Sequence, residues 1–303
     1  MIKRFIDSYF FYSFLRDPMA WGSFVVLVSL LFVSFSAPVI APHNPYDTAT
    51  IDIMNAETPP VWMHGGGADF PLGTDSQGRD MLSTLLYGMR VSIIIGFGAV
   101  ILQALIGIFV GLTSGYFGGK LETILMRLAD VQLSFSTYMV AIFFGAIFQS
   151  AFGMASYEQY AVPLLIIVIG FAEWPQYART VRASVLAEKK KEYVEAARVI
   201  GLRPGRIMWR HIFPNTLTPV LVISTVQVAN AIMSEAALSF LGLGMPVTRP
   251  SLGSLIKSGF DYIFSGSWWI TLFPGISLVV LILAINLLGD WLRDFLNPKL
   301  YKG

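Results

Sequence analysis

Cysteine is absent from this 303-residue chain, which excludes disulfides, thiolate nucleophiles and cysteine-ligated metals. Charge is scarce: Asp, Glu, Lys and Arg make up 13% of the residues, against roughly 25% in soluble domains. The net charge of +2 is too small to suggest a nucleic-acid partner. Its histidines, His43, His64 and His211, are far apart and have no metal-ligand spacing. No Gly-x-x-x-x-Gly-Lys-Ser/Thr run is present, so the chain has no phosphate loop of its own. Internal repeats are lacking too, which weakens the inverted-repeat architecture of many secondary transporters.

What the sequence has is apolar residues, 55% of the total. One aqueous core cannot hide that much apolar surface, so the chain reads as an all-α polytopic membrane protein. A spanning helix needs about 20 mainly apolar residues. Six segments qualify: Met19–Ala41, Val91–Ser114, Val131–Ala151, Ala161–Tyr177, Leu217–Leu241 and Trp269–Leu288. The first is longer than the core of a signal peptide and no small-x-small cleavage site follows, so it reads as a retained helix.

Lys and Arg in the loops set the orientation. The N-terminus carries Lys3, Arg4 and Arg16, the second-to-third connection Lys120 and Arg127, and the tail Arg293, Lys299 and Lys302. The fourth-to-fifth connection holds Arg179, Arg182, Lys189, Lys190, Lys191, Arg198, Arg203, Arg206 and Arg210. Only Arg79, Arg90, Arg249 and Lys257 lie on the other side. Both termini are therefore expected in the cytoplasm. The implied organisation is a cytoplasmic segment 1–18, a first span 19–41, an external loop 42–90, a five-helix core 91–292 with a cytoplasmic loop 179–216, and a tail 293–303.

Within the external loop, Thr74 and Gln77 have the spacing of a capping box. Met81, Leu82, Leu85, Leu86 and Met89 share one helical face, which predicts an amphipathic helix at the outer interface. Asp75, Arg79 and Asp80 read as a capped, salt-bridged turn, or alternatively as a contact surface for an external protein. In the second span Gly107, Gly111 and Gly115 form a stripe that admits a close neighbour.

Ionisable residues inside spans are functional candidates by default. Arg127 and Asp130 have the spacing to pair with each other. Glu173 reads as near enough to the headgroups to be hydrated, and Asp290 closes the sixth span. Glu235, with Gln227 and Asn230, is a candidate for helix-to-helix packing or for lining a polar pathway.

The charged segment Lys189–Gly201 predicts a helix over Glu188–Ile200. Gly201 ends it and Pro204-Gly205 precedes a new start. On composition alone it is a basic helix for anionic lipid. Its spacing is more specific: Glu195-Ala196-Ala197, Gly201 four residues on, and Arg210-His211-Ile212-Phe213-Pro214-Asn215. This layout resembles the EAA loop of ABC-importer permeases. Pro71-Leu72-Gly73-Thr74-Asp75, Gly78-Arg79-Asp80, Ser114–Gly119, Glu235–Gly244 and Asn286–Asp290 are similar to the peptide branch of that family, specifically the C-type permease of dipeptide, oligopeptide and nickel importers. Ser134-Phe135-Ser136-Thr137 departs from it, lacking a proline after Phe135.

The resemblance implies a six-helix type I ABC importer (MetI-like) permease fold in a bacterial inner membrane, non-catalytic, with no cofactor in this chain. ATP and Mg would be bound by two partner ATPase subunits. A B-type permease and an extracytoplasmic solute-binding protein would complete the assembly. Glu195, Ala196, Ala197, Gly201 and Pro214 would carry docking to an ATPase subunit. Peptide is the expected solute, nickel chelate or glutathione the alternatives within the family, and an ion-coupled secondary transporter or a scaffold the alternatives outside it.

Overall fold

The computed structural model describes residues 9–47 and 51–296, and those residues are mostly helical, with no strand longer than one bridge. Lys3, Arg4, Lys299 and Lys302 lie outside the described residues. An N-terminal helix, α1 (Tyr9–Arg16), leads to α2 (Pro18–Phe35), capped by Asp17, whose carboxylate accepts from the Met19 and Ala20 amides. A turn at Ser36 separates α2 from α3 (Ala37–Ile40), so the first expected span is interrupted near its end.

The central helix is α4 (Met81–Phe117), followed by α5 (Gly119–Leu133) and α6 (Thr137–Glu188). Among the described residues, five helices are long and apolar enough to cross a membrane, α6 being the longest at 52 residues. A straight helix of that length would measure about 78 Å, far more than the roughly 30 Å hydrocarbon layer. It is not straight: Gly153 has φ 79° and ψ 167°, outside helical values. The chain reverses there, since Phe144 and Phe171 stack edge-to-face at 6.3 Å and Thr137 reaches Glu173. The two arms stand where the third and fourth spans are expected. The third begins later than predicted, because Ser134-Phe135-Ser136 forms a break between α5 and α6. That is the point at which the sequence departs from the pattern it resembles.

The glycine stripe is where α4 meets the second arm of α6. A Cβ at Gly107 would lie 2.3 Å from Tyr177 Cβ, one at Gly111 2.6 Å from Val181 Cβ, and one at Gly115 2.8 Å from Val185 Cβ. Each glycine thus faces a residue one helical turn further along the partner, which brings the backbones together. Against this pair packs α9 (Phe213–Phe240), with Ile232 over Gly96. A nine-residue helix, α10 (Leu252–Phe260), which the sequence did not suggest, tucks against α4 and α9, and α11 (Trp269–Phe295) closes the bundle.

The external loop corrects two expectations. Thr74 caps no helix; it pairs across a turn with Asp80, and its hydroxyl accepts from the Thr58 amide at 2.8 Å. Asp75 shapes that turn by accepting from the Gln77 and Arg79 amides, both at 2.9 Å. Helix α4 starts only at Met81, capped by Asp80 through the Ser83 amide. Its first turns do not lie at a lipid interface. Met81 and Leu85 are buried against Trp269 and Ile270, and the polar Ser83 and Thr84 are buried as well. The loop itself covers them: Met63 and Leu72 pack against the Met81 and Leu85 cluster, and the His43 amide donates to Ser83 Oγ at 3.1 Å.

Candidate functional site

Two groups of residues stand out, one at the loop following α6 and one inside the bundle. In the first, α6 runs on to Glu188, so the predicted helix start is four residues early. Lys189-Lys190-Lys191 breaks the chain, and α7 (Glu192–Val199) begins after Lys191. Glu192 and Glu195 lie in its first turn and Arg198 in its last, the arrangement that complements the helix dipole. Gly201, at φ +80°, closes it: Leu202 N donates to Ala197 O at 3.1 Å and Gly201 N to Arg198 O at 2.9 Å. This is a Schellman ending, which requires a left-handed residue at that position.

The faces of α7 are distinct. Val194 and Ala197 are buried against Ile207 and Met208 in the protein's own core. Ala197 therefore supports α7 from beneath and is not on its outer face. Glu195 and Ala196 are exposed, and Val199 and Ile200 are 87% and 76% exposed. Among the described residues, and apart from its two chain neighbours, nothing lies within 4 Å of where a Gly201 side chain would begin.

The basic run is engaged internally. Lys189 Nζ donates to the Tyr116 carbonyl at 2.8 Å, capping the C-terminal end of α4, and Lys191 pairs with Glu188 at 2.6 Å. Tyr193 donates to Glu188 and accepts from Asn215 Nδ2 at 3.2 Å. Desolvation, followed by the hydrogen bond to the Glu188 carboxylate, pushes the Tyr193 phenol up to about 12. Through Asn215, α7 is tied to the first turn of α9.

Between them lie α8 (Pro204–Ile207) and a π-turn over Met208–Ile212. The π-turn, in which Phe213 N donates to Met208 O, comes directly before Pro214, which is exposed in the first turn of α9. Proline has no N–H for the Arg210 carbonyl and its ring would crowd that oxygen; a wider turn relieves both problems.

The second group corrects the reading of Glu173. It is nearly buried and accepts from Thr137 Oγ1 at 3.3 Å, Gln227 Nε2 at 3.2 Å and Ser234 Oγ at 3.4 Å. Gln227 also donates to Gln103 Oε1 at 3.3 Å and accepts from Asn230 at 2.9 Å. One polar network thus joins α4, both arms of α6, and α9. Gln227 is buried within it, and Asn230 extends it to the exposed face of α9. Gln103 and Glu173 were not singled out together by sequence, because their partners are 36 to 124 residues away.

Glu235 sits apart from this network and is fully buried. Ser92 and Ser239 each donate to it at 2.7 Å. Ser92 in turn accepts from the Leu252 amide at 3.2 Å, and Ser239 from the Met245 amide at 2.9 Å. Glu235 therefore holds α10 and its preceding loop onto α4 and α9, the packing role of the two expected for it. Arg127 and Asp130 do not pair: Asp130 pairs with Arg179 and Glu122 with Arg182, both joining α5 to α6. Asp75, Arg79 and Asp80 are buried, which leaves them no surface for an external protein.

Comparison with known proteins places these features in context. Residues 104–302 match the family model described as binding-protein-dependent transport system inner membrane component, and residues 8–60 match the N-terminal TM domain of oligopeptide transport permease C. The di/tripeptide transport system permease protein DppC of Pseudomonas aeruginosa is 36% identical over 96% of this chain and 91% of its own. The dipeptide permease DppC of Escherichia coli K12 is 38% identical over 96% of this chain and 92% of its own. In fold, the chain is similar to one from the inward-facing MetNI methionine ABC transporter, with a TM-score of 0.58 at 19% identity, over 72% of this chain and 98% of that one.

Proposed function

Since the chain belongs to the family of binding-protein-dependent transport system inner membrane components, we propose that it is one of two membrane subunits of an ATP-driven importer of di- or oligopeptides. A second permease would complete the solute path, two ATPase subunits would bind ATP and Mg, and an external binding protein would deliver the peptide. Peptide as the solute rests on relatives named as dipeptide permeases that align along more than nine-tenths of their length. Both termini and α7 face the cytoplasm in this reading, as the basic loops favour. Reporter fusions after Gly65 and after Lys190 should read outside and inside respectively; the reverse pattern would remove the docking assignment with the orientation.

The observation that carries the docking assignment is the uncovered tip of α7. Val199 and Ile200 are large, apolar and almost free of contacts within this chain, beside Gly201 and the acidic Glu195. An ATPase groove receiving Glu195, Ala196, Val199, Ile200 and Gly201 would bury them. Movement of that groove would pass to α9 through the Tyr193–Asn215 hydrogen bond and Pro214. The lipid-binding alternative is weakened because Lys189 and Lys191 are already engaged within the chain.

The test is a pair of changes at exposed positions. Val199→Asp with Ile200→Asp places two charges in an apolar contact, and ATPase-subunit binding should weaken at least about tenfold, equivalent to ~1.4 kcal/mol. Gly201→Val, at a positive φ, should uncouple peptide-stimulated hydrolysis. Both variants should insert and pair with the second permease. Wild-type ATPase recruitment and uptake in both would place docking elsewhere.

A further inference from the structure

At the end of the bundle that carries the external loop, a cavity of about 410 Å³ lies between the reversal of α6, the loop after α9, and α10. Glu158, Lys257 and Asp261 all line it. Among the described residues these three make no ion pair with one another or with any other group, although oppositely charged side chains on one wall ordinarily gain by pairing. We propose that this cavity is a binding site for a zwitterionic short peptide, its carboxylate on Lys257 and its ammonium on Glu158 and Asp261. The proposal rests on the peptide reading above and deepens it by assigning a subsite in this chain.

The wall of the cavity is built in advance. The Tyr157 hydroxyl lies 3.0 and 2.9 Å from the carbonyls of Leu243 and Gly244. Arg79 Nη1 donates to the Val247 carbonyl at 2.9 Å, and the Met245 amide is held through Ser239 to Glu235. Three independent tethers thus fix the loop after α9, so little ordering entropy remains for a ligand to offset.

Lys257 is placed as well as free. Gly242 ends α9 at φ +79°, and a Cβ there would fall 2.4 Å from Lys257 Nζ. The ammonium therefore sits directly over a backbone that carries no side chain. Glu158 has a single neutral partner, the Thr248 hydroxyl at 3.4 Å. An anion alone would meet two carboxylates, and a cation alone would meet the ammonium. A molecule carrying both charges at its two ends satisfies the whole lining, with charge-assisted bonds at each end.

Saturation-transfer NMR on the intact importer complex, without its binding protein, tests the site directly. Dialanine is the probe, and its C-terminal amide and N-acetyl derivative are the competitors. Losing a hydrogen bond to a charged group should make each derivative at least about tenfold weaker than dialanine. Lys257→Met should erase the penalty for the amide and keep that for the acetyl derivative. Glu158→Gln with Asp261→Asn should do the reverse. Lys257 and Asp261 are exposed, so these variants should fold, and an unchanged thermal aggregation midpoint of the complex in detergent serves as the check.

Equal competition by all three ligands, or no dialanine signal while ATP-driven peptide uptake is intact, would overturn the site and leave the peptide reading standing. Absence of peptide uptake by the wild-type importer would instead overturn that reading. If Lys257→Met changes only the concentration of binding protein needed to stimulate hydrolysis, the charges serve protein docking and the peptide site is refuted.

Discussion

Arg79→Ala is expected to destabilise the chain by about 3–5 kcal/mol, the range for removing one partner of a buried ion pair. The Arg79 and Asp75 side chains are 2% and 1% exposed, with Arg79 Nη2 2.7 Å from Asp75 Oδ2. Truncation leaves the carboxylate buried without its countercharge. It also cuts the tether from Arg79 to the Val247 carbonyl, so the external loop and the loop after α9 should loosen together. Asp75→Asn with Arg79→Met should recover part of the loss, because an asparagine Oδ1 can still accept from the Gln77 and Arg79 amides that Asp75 now engages. Thermal aggregation midpoints in detergent and protease cleavage in the external loop would report both effects. A single variant as stable as wild type would show that the pair contributes no net stability.

Gly107→Val should be the most damaging single change on the glycine stripe between α4 and α6. Its Cβ would begin 2.3 Å from Tyr177 Cβ, 2.8 Å from Trp174 O and 2.9 Å from Ala178 N. Two of those atoms are backbone, so no rotamer change relieves the overlap and the helices must separate. Overpacking costs typically about 1–3 kcal/mol where side chains can move, and more is expected here. Separation would also disturb Gly111 and Gly115 on the same stripe. Gly145→Ala, in α6, is the matched control. Nothing lies within 4 Å of its Cβ, and the helix propensity gain of up to about 1 kcal/mol should leave it neutral or more stable. Size-exclusion profiles of the two variants should separate clearly. Equal behaviour would mean that α4 and α6 do not depend on close backbone approach.

Much of this architecture is legible in local sequence. The apolar runs mark the crossings because each must satisfy its backbone within itself. The Gly107–Gly115 stripe names an interface from its four-residue period, and Gly201 marks the end of α7 because few other residues tolerate its φ. What sequence left hidden depends on distant partners. Glu173 looks like a hydrated residue near a span end until the chain reversal at Gly153 brings Thr137 beside it and α9 supplies Gln227 and Ser234. Nothing nearby distinguishes Gly153 as a reversal from Gly145, which stays helical in the same apolar run. Asp130 has Arg127 within reach, yet Arg179 on a neighbouring helix takes it. Thr74 and Gln77 have capping-box spacing, but Asp75 takes the Gln77 amide to make a tight turn. Ala196 and Ala197 are adjacent and alike in sequence; helical geometry turns one outward and the other into the core.

The most direct test of the account is uptake of a labelled dipeptide into proteoliposomes containing this chain, its partner permease, the two ATPase subunits and the binding protein. Accumulation should require ATP and Mg on the side exposing α7 and peptide-loaded binding protein on the other, and should persist when a protonophore collapses the ion gradient. Uptake by the membrane chains without the ATPase subunits, or uptake abolished by the protonophore at saturating ATP, would contradict an ATP-driven permease and return the chain to the ion-coupled class.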